Sequence, residues 1–303
     1  MTNDTDALFR EAVAAIDDGD NRRLDGLLRA HPELVRDRLR SPGDWLRSRV
    51  GDALDGFFAE PYLLWFVAED PVRNDTLPPN IADVARTIIA ATEREARDSL
   101  PEQLDYALSL VAWSWVAHRC GVQLELIDVL ADAGAPLDGK PENALVNGHF
   151  DAARRLIERG AKLTLSTALL LERWDDAERL ARSAPAAEKQ DALVLAALNG
   201  RADALVVLLR NGTDVNTRSA NIHAHATPLH HAVCSGSIEA VKLLVDAGAD
   251  LGVADDAEGA TPLGWAEYYR DCGDPARGRM YEQIAEYLEL RAAAGRTEGH
   301  DTA

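Results

Sequence analysis

The sequence predicts an all-α chain of stacked helix pairs, and three observations predict it. Thr227-Pro228-Leu229-His230 recurs as Thr261-Pro262-Leu263, the two threonines standing 34 residues apart. Self-similarity at this period marks a repeat array rather than one globular core. Gly148, Gly200 and Gly236 each open a twelve-residue interval that closes at Gly160, Gly212 and Gly248. Each interval carries an apolar pair at one offset: Leu156-Ile157, Leu208-Leu209 and Leu244-Val245. Finally, 47% of the 303 residues are apolar but only 6% are aromatic, so the packing rests on Ala, Leu and Val, which suits closely stacked helices.

Each part of the clearest unit has a physical reason. Thr227 is placed to cap a helix N-terminus, and Pro228 suits the first turn, where its missing N–H is no loss. Leu229, Ala232 and Val233 give this first helix an apolar side. Gly236 turns the chain. Ile238, Val241, Leu244 and Val245 then form the buried stripe of a second helix predicted over Ile238–Ala247, and Gly248 ends it in the left-handed conformation. The same template fits Ala168–Ala184, with Glu172 in the place of the first glycine. It fits the N-terminus, where Gly19 leads to Leu27-Leu28 and a stop at His31-Pro32, and, one residue longer, the segment from Gly121 through Leu130 to Gly134.

The connections between pairs are unequal. Residues 213–226 and 249–260 are long enough for a turn or hairpin. The units opening at 148, 172 and 200 follow one another at 24 and 28 residues, which leaves almost no connection. Residues 41–120 are less regular. Ser41-Pro42-Gly43 breaks the chain, and Pro61–Ala68 reads as a first helix. Asp70–Asn80 reads as a Pro- and Asp-rich insertion, Ile81–Thr92 as a second helix and Leu104–Arg119 as another first helix. Glu93–Pro101 either extends a helix or links two.

These units resemble the ankyrin repeat, whose signature is Thr-Pro-Leu-His, a helix, a glycine stop and an extended finger. His31-Pro32-Glu33-Leu34-Val35, the Leu63–Ala68 block followed by Pro79-Asn80, and Gly121–Asp128 are similar to a group of bacterial ankyrin-repeat proteins. The resemblance covers nearly the whole chain. It implies an ankyrin-repeat α-solenoid of about seven to eight helix pairs, some with shortened fingers. The expected layout is one solenoid over 1–294: a cap repeat at 1–40, divergent repeats with an irregular insertion at 41–120, and regular and shortened repeats at 121–294. A flexible tail at 295–303 would follow. His231 departs from the family, which usually carries leucine there.

The resemblance further implies a non-catalytic scaffold that binds a protein partner along the concave side, formed by finger tips and first helices. Carried over position by position, that surface comprises Ser235, Tyr268, Tyr269, Asn199 and Asn147 from first-helix ends, and Glu258 from a finger. Its centre is expected at Ser235, Glu258, Tyr268 and Tyr269; tyrosines give large amphipathic contact area. One tyrosine could instead close the apolar end of the stack.

Composition narrows the partners. Asp and Glu number 51 against 32 Lys and Arg, a formal charge of −19. Nucleic-acid binders usually show a basic footprint, so nucleic acid and anionic membranes are disfavoured. The acidity serves solubility, and its sharper consequence would be a basic protein partner. The longest apolar runs, Tyr62–Ala68 and Ser109–Ala117, are too short to span a bilayer. Three distant cysteines, Cys120, Cys234 and Cys272, and an acidic N-terminus suit a soluble protein of the reducing cytoplasm.

Motifs for chemistry are sparse. His223, His225, His230, His231 and Cys234 form the densest polar cluster. A metal would need three or four of them to converge, whereas His230 belongs to the repeat motif, where it usually hydrogen-bonds between repeats. No metal or cofactor is expected. Asp17–Asp20 and Asp255–Gly259 lack the ligand alternation of a calcium loop and read as a helix–helix turn and a finger. There is no GxSxG, phosphate loop or HExxH, so no catalytic residue is assigned. The alternative is an enzyme or a small-ligand or metal sensor, with its site in 41–120 or at His223–His231. Of the tryptophans, Trp113 and Trp115 cannot share a helix face, so at least one is partly exposed. Trp174 aligns with Phe150 and Ile238 and is expected in the core.

Overall fold

The structure is a computed structural model and describes residues 2–273 and 275–298. Among these residues there are helices and turns but no strand. The chain divides into two compact units, 1–162 and 163–303.

The first unit contains α1 (Thr2–Asp17), α2 (Asn21–Ala30), α3 (Glu33–Arg36), α4 (Asp44–Val50), α5 (Ile81–Glu95), α6 (Leu100–Trp113), α7 (Trp115–Arg119), α8 (Gln123–Asp132), α9 (Lys140–Val146) and α10 (Phe150–Glu158). Helix α1 pairs with α2, α6 with α8, and α9 with α10, while α2, α5, α8 and α10 lie side by side in sequence. The expected helix at Pro61–Ala68 is a 3₁₀ helix, Leu63–Ala68, with all six side chains buried. It follows extended Tyr62, has no side-chain N-cap and stops at left-handed Glu69.

That glutamate organises the insertion. Its Oε1 accepts the backbone N–H groups of Arg73, Asn74 and Asp75. Arg73 reaches Oε2 of Glu69 at 2.9 Å and Asp17 at 2.8 Å. The two charges taken out of water, Glu69 and Arg73, are tolerable because each has partners, with half-buried Asp17 completing the set.

The helix expected over Leu104–Arg119 is broken at Ser114. Ser114 Oγ accepts the N–H of Ala117, starting α7, and donates to the Ala68 carbonyl at 2.6 Å. Gln123 Nε2 covers the carbonyls of Val111 and Ala112 that the break frees. A serine that finds buried partners competes with the helical ladder. Either side of the break, Trp113 and Trp115 are 42% and 44% exposed.

The second unit contains α11 (Leu165–Leu170), α12 (Trp174–Ser183), α13 (Ala186–Leu198), α14 (Ala202–Arg210), α15 (Pro228–Ser235), α16 (Ile238–Asp246), α17 (Pro262–Cys272) and α18 (Gly278–Glu298). First helices α11, α13, α15 and α17 make one row; second helices α12, α14, α16 and α18 make the other. Ala232 and Val233 of α15 are fully buried, as are Ala240, Val241 and Leu244 of α16. Only Ala184-Pro185 separates α12 from α13, in line with the expected compression. Trp174 is not in the core: it is 37% exposed, at the first position of α12, and Phe150 and Ile238 are themselves only half-buried. Helix α18 runs to Glu298, so residues 295–298 of the expected tail are helical, while 299–303 lie outside the described residues.

Two turn residues test the template. Gly248 has φ +93° and open space where a Cβ would stand, so a side chain there is penalised through the backbone alone. Gly248→Val should destabilise by about 1–2 kcal/mol in urea unfolding. Glu172, in the turn between the two helices of its pair where other units have Gly148, Gly200 or Gly236, holds φ +60° with a side chain. Glu172→Gly should therefore be more stable than Glu172→Ala, which loses the same contact to Arg201, by about 1 kcal/mol.

Candidate functional site

The second unit positions its polar groups through its fingers. The finger 213–226 is tied to α13: Ser219 Oγ donates to Asp191 at 2.5 Å and Asn221 Nδ2 to the same carboxylate at 2.9 Å. Successive fingers are laced together. Asn216 donates to the Gly248 carbonyl and accepts the Asp250 N–H, and Arg218 pairs with Asp256.

The finger 249–260 closes on Asp255. Its carboxylate accepts the N–H groups of Ala257, Glu258 and Ala260, and Nε1 of Trp265 at 2.9 Å. The Glu258 N–H foremost among these donors holds the carboxyl well below the usual carboxylate range. With both oxygens engaged, Asp255 is a structural anchor rather than a cation ligand. Sequence reasoning read this stretch as a finger without seeing which acid organises it; four donors converging on one carboxylate is a tertiary fact.

His230 does what its motif predicts. Its Nδ1 bonds the Thr227 hydroxyl at 2.8 Å, closing the N-terminal turn of α15, and its Nε2 meets the Ala260 carbonyl of the next repeat at 3.0 Å. His223, His225 and His231 gather beside it with ring centroids 5.6–6.2 Å apart, against Trp265. They pack as rings. No group of three or more His, Cys, Asp or Glu among the described residues is arranged to hold a metal ion.

His231, in the slot usually given to leucine, is 2% exposed, and its Nε2 has no hydrogen-bond partner. Burial, then the neighbouring His223, pulls its pKa down to about 3. His230 and His223 are lowered too, chiefly by burial.

The residues assigned to a binding surface fare unequally. Tyr268 is 62% exposed and Glu258 is exposed at a finger tip. Tyr269, by contrast, is half-buried: it stacks on Tyr281 of α18 at 5.2 Å and its hydroxyl contacts Cys234 Sγ at 3.3 Å. Burial, then that contact, raises its pKa. Ser235 is engaged as well, its Oγ donating to the Ala232 carbonyl and its own carbonyl accepting from Arg277. Tyr269 is therefore packed between α15 and α18 rather than standing free in water. Asn199 donates its amide to the Leu195 carbonyl within its own helix end. In the first unit, Asn147 donates to the Trp113 carbonyl at 2.7 Å.

Rows of short helix pairs joined by turn-built fingers define an all-α repeat protein. Residues 167–255 and 193–288 match the family model of ankyrin repeats (3 copies), so the chain carries ankyrin repeats across most of its second unit. No curated protein matches the chain. No helix among the described residues is long and apolar enough to cross a membrane.

The histidine cluster carries a pH prediction. A buried histidine whose pKa is lowered stays neutral in the fold but takes up a proton near pH 6.5 when unfolded. Its contribution to stability is present above that pH and is lost as pH falls toward about 3. Urea unfolding of the second unit should show falling stability from pH 7 to pH 5. His231→Leu should reduce that slope and stabilise at pH 7 by about 1–2 kcal/mol, because it removes a buried polar atom without a partner.

Proposed function

We propose that the chain is a non-catalytic scaffold that binds a protein partner through the first-helix ends and finger tips of its ankyrin repeats. The observation that carries this reading is the combination of detected repeats with a 62% exposed Tyr268 on α17. Large aromatic groups left in water beside polar finger tips are the usual anchors of interfaces. Tyr268 and Glu258 form the core of the surface. Ser235 and Tyr269 support it from behind, Asn199 borders it, and Asn147 is the equivalent position of the first unit.

The formal charge of −19 favours a basic partner over nucleic acid, with association that weakens as salt rises. The reading places the protein in the cytoplasm, among bacterial repeat proteins of the same kind.

The test is a Tyr268→Ala, Glu258→Lys double variant in quantitative cross-linking from the native cell. Both positions are exposed, so its thermal melt should match the parent. Recovery of a specific partner should fall by about tenfold or more, the effect of losing one interface anchor. Equal recovery by the variant would remove this surface.

A further inference from the structure

A cleft in the first unit has the chemistry of a ligand site, independent of the binding surface of the second. Its volume is about 440 Å³, within the range of small-molecule pockets. One wall is a single stripe of α6, where Tyr106, Ser109, Leu110 and Trp113 fall at i, i+3, i+4 and i+7. Phe57 faces it from the chain before the 3₁₀ helix, Asn143 comes from α9, and Asp70 stands just past Glu69. Phe57 and Trp113 are 52% and 42% exposed, apolar surface the fold leaves in water.

Asp70 is the anomaly. Its carboxylate is half-buried and makes no hydrogen bond or ion pair among the described residues, and the cations on the surrounding elements are engaged elsewhere. Arg73 is committed to Asp17 and Glu69, and Lys140 to Asp105 and to Ser109 at 2.7 Å. Burial, then the adjacent Glu69, pushes the Asp70 carboxyl up to about 6. The Asp70 charge in turn helps raise the Tyr106 hydroxyl, after burial.

An unpaired carboxylate is costly to bury, and a cation arriving beside it offsets that cost. Aromatic faces attract the same cation. The neighbouring rings already do so, since the Arg38 guanidinium lies 4.3 Å over Tyr62 and 5.1 Å over Trp65, and Trp65 packs 4.4 Å from Tyr106. An anion would meet Asp70, and a neutral ligand would leave it uncompensated.

We propose that this cleft binds a small organic cation, a protonated amine carried on an apolar body, with the ammonium against Asp70 and Tyr106 and the body between Phe57, Leu110 and Trp113. The site adds ligand binding to a chain otherwise read as a scaffold, and it stands whether or not Tyr268 and Glu258 bind a partner.

The experiment titrates the full chain at pH 8 with three isosteres, read by calorimetry and tryptophan fluorescence: phenethylamine, 2-phenylethanol and 3-phenylpropionate. Phenethylamine should bind at least about tenfold tighter than the alcohol, and the carboxylate should not bind. Asp70→Asn should abolish that preference and melt no lower than the parent, since the carboxylate holds nothing in place. Trp113→Leu, at an exposed position, should weaken the amine more than the alcohol and serves as the second variant should Asp70→Asn fail to fold. Absence of amine binding, equal binding of amine and alcohol, or an unaltered preference in a folded variant would overturn the proposal. So would N-acetyl-lysine amide binding as tightly as phenethylamine, which would make the occupant a protein side chain.

Discussion

No helix in the second unit's interior can hold itself together in water. Helices α14, α15 and α16 have nine, eight and nine residues, below the length at which isolated helices become stable. Each survives because its apolar stripe is sealed by the next pair, as fully buried Ala204, Leu205 and Leu208 of α14 and Ala240, Val241 and Leu244 of α16 show. This need for a neighbour governs the rest. It selects small residues where helices approach, demands a sharp reversal inside each pair, and makes the fingers the only segments free to vary.

The features legible in the sequence were those set by local physics. The glycine interval is a backbone requirement repeated at fixed spacing, so it could be counted. The Thr-Pro start of α15 and α17 is local capping chemistry and helix α16 is an apolar stripe, while the inter-repeat role of His230 is what the family resemblance implies. Features set by distant partners could not be read that way. Ser114 looks like a helical residue until the Ala68 carbonyl and Gln123 supply partners that break the helix. The Leu63–Ala68 block has the composition of an α-helix, yet it tightens into a 3₁₀ turn between extended Tyr62 and left-handed Glu69. Trp174 shares a slot with apolar residues, but that slot lies at a helix start where the next pair gives only partial cover. Of the site residues, Tyr268 and Glu258 stand in water. Ser235 and Tyr269 are engaged by Arg277 and Tyr281, partners set by how the chain after α17 folds back.

Acidic residues in this chain do more than keep it soluble. Asp255 gathers three backbone donors and an indole, Asp191 holds the long finger, and Glu69 gathers three backbone donors of the insertion. All three serve irregular segments, where N–H groups lack helical partners and a carboxylate is the strongest acceptor to hand. Asp70 breaks this pattern: it is the acid beside an aromatic cleft to which the fold gives no donor.

Helix α18 differs from the second helices before it in having a single dry side among the described residues. Tyr281, Ile284, Ala285 and Leu288 face inward, while Glu282, Gln283, Glu286 and Glu289 face water. The interior helices α14 and α16 each answer to a neighbour on either flank, so one side chain must satisfy two packings at once. Tolerance to substitution is therefore graded along the row, tightest where a helix is sandwiched and loosest on the outward side of α18.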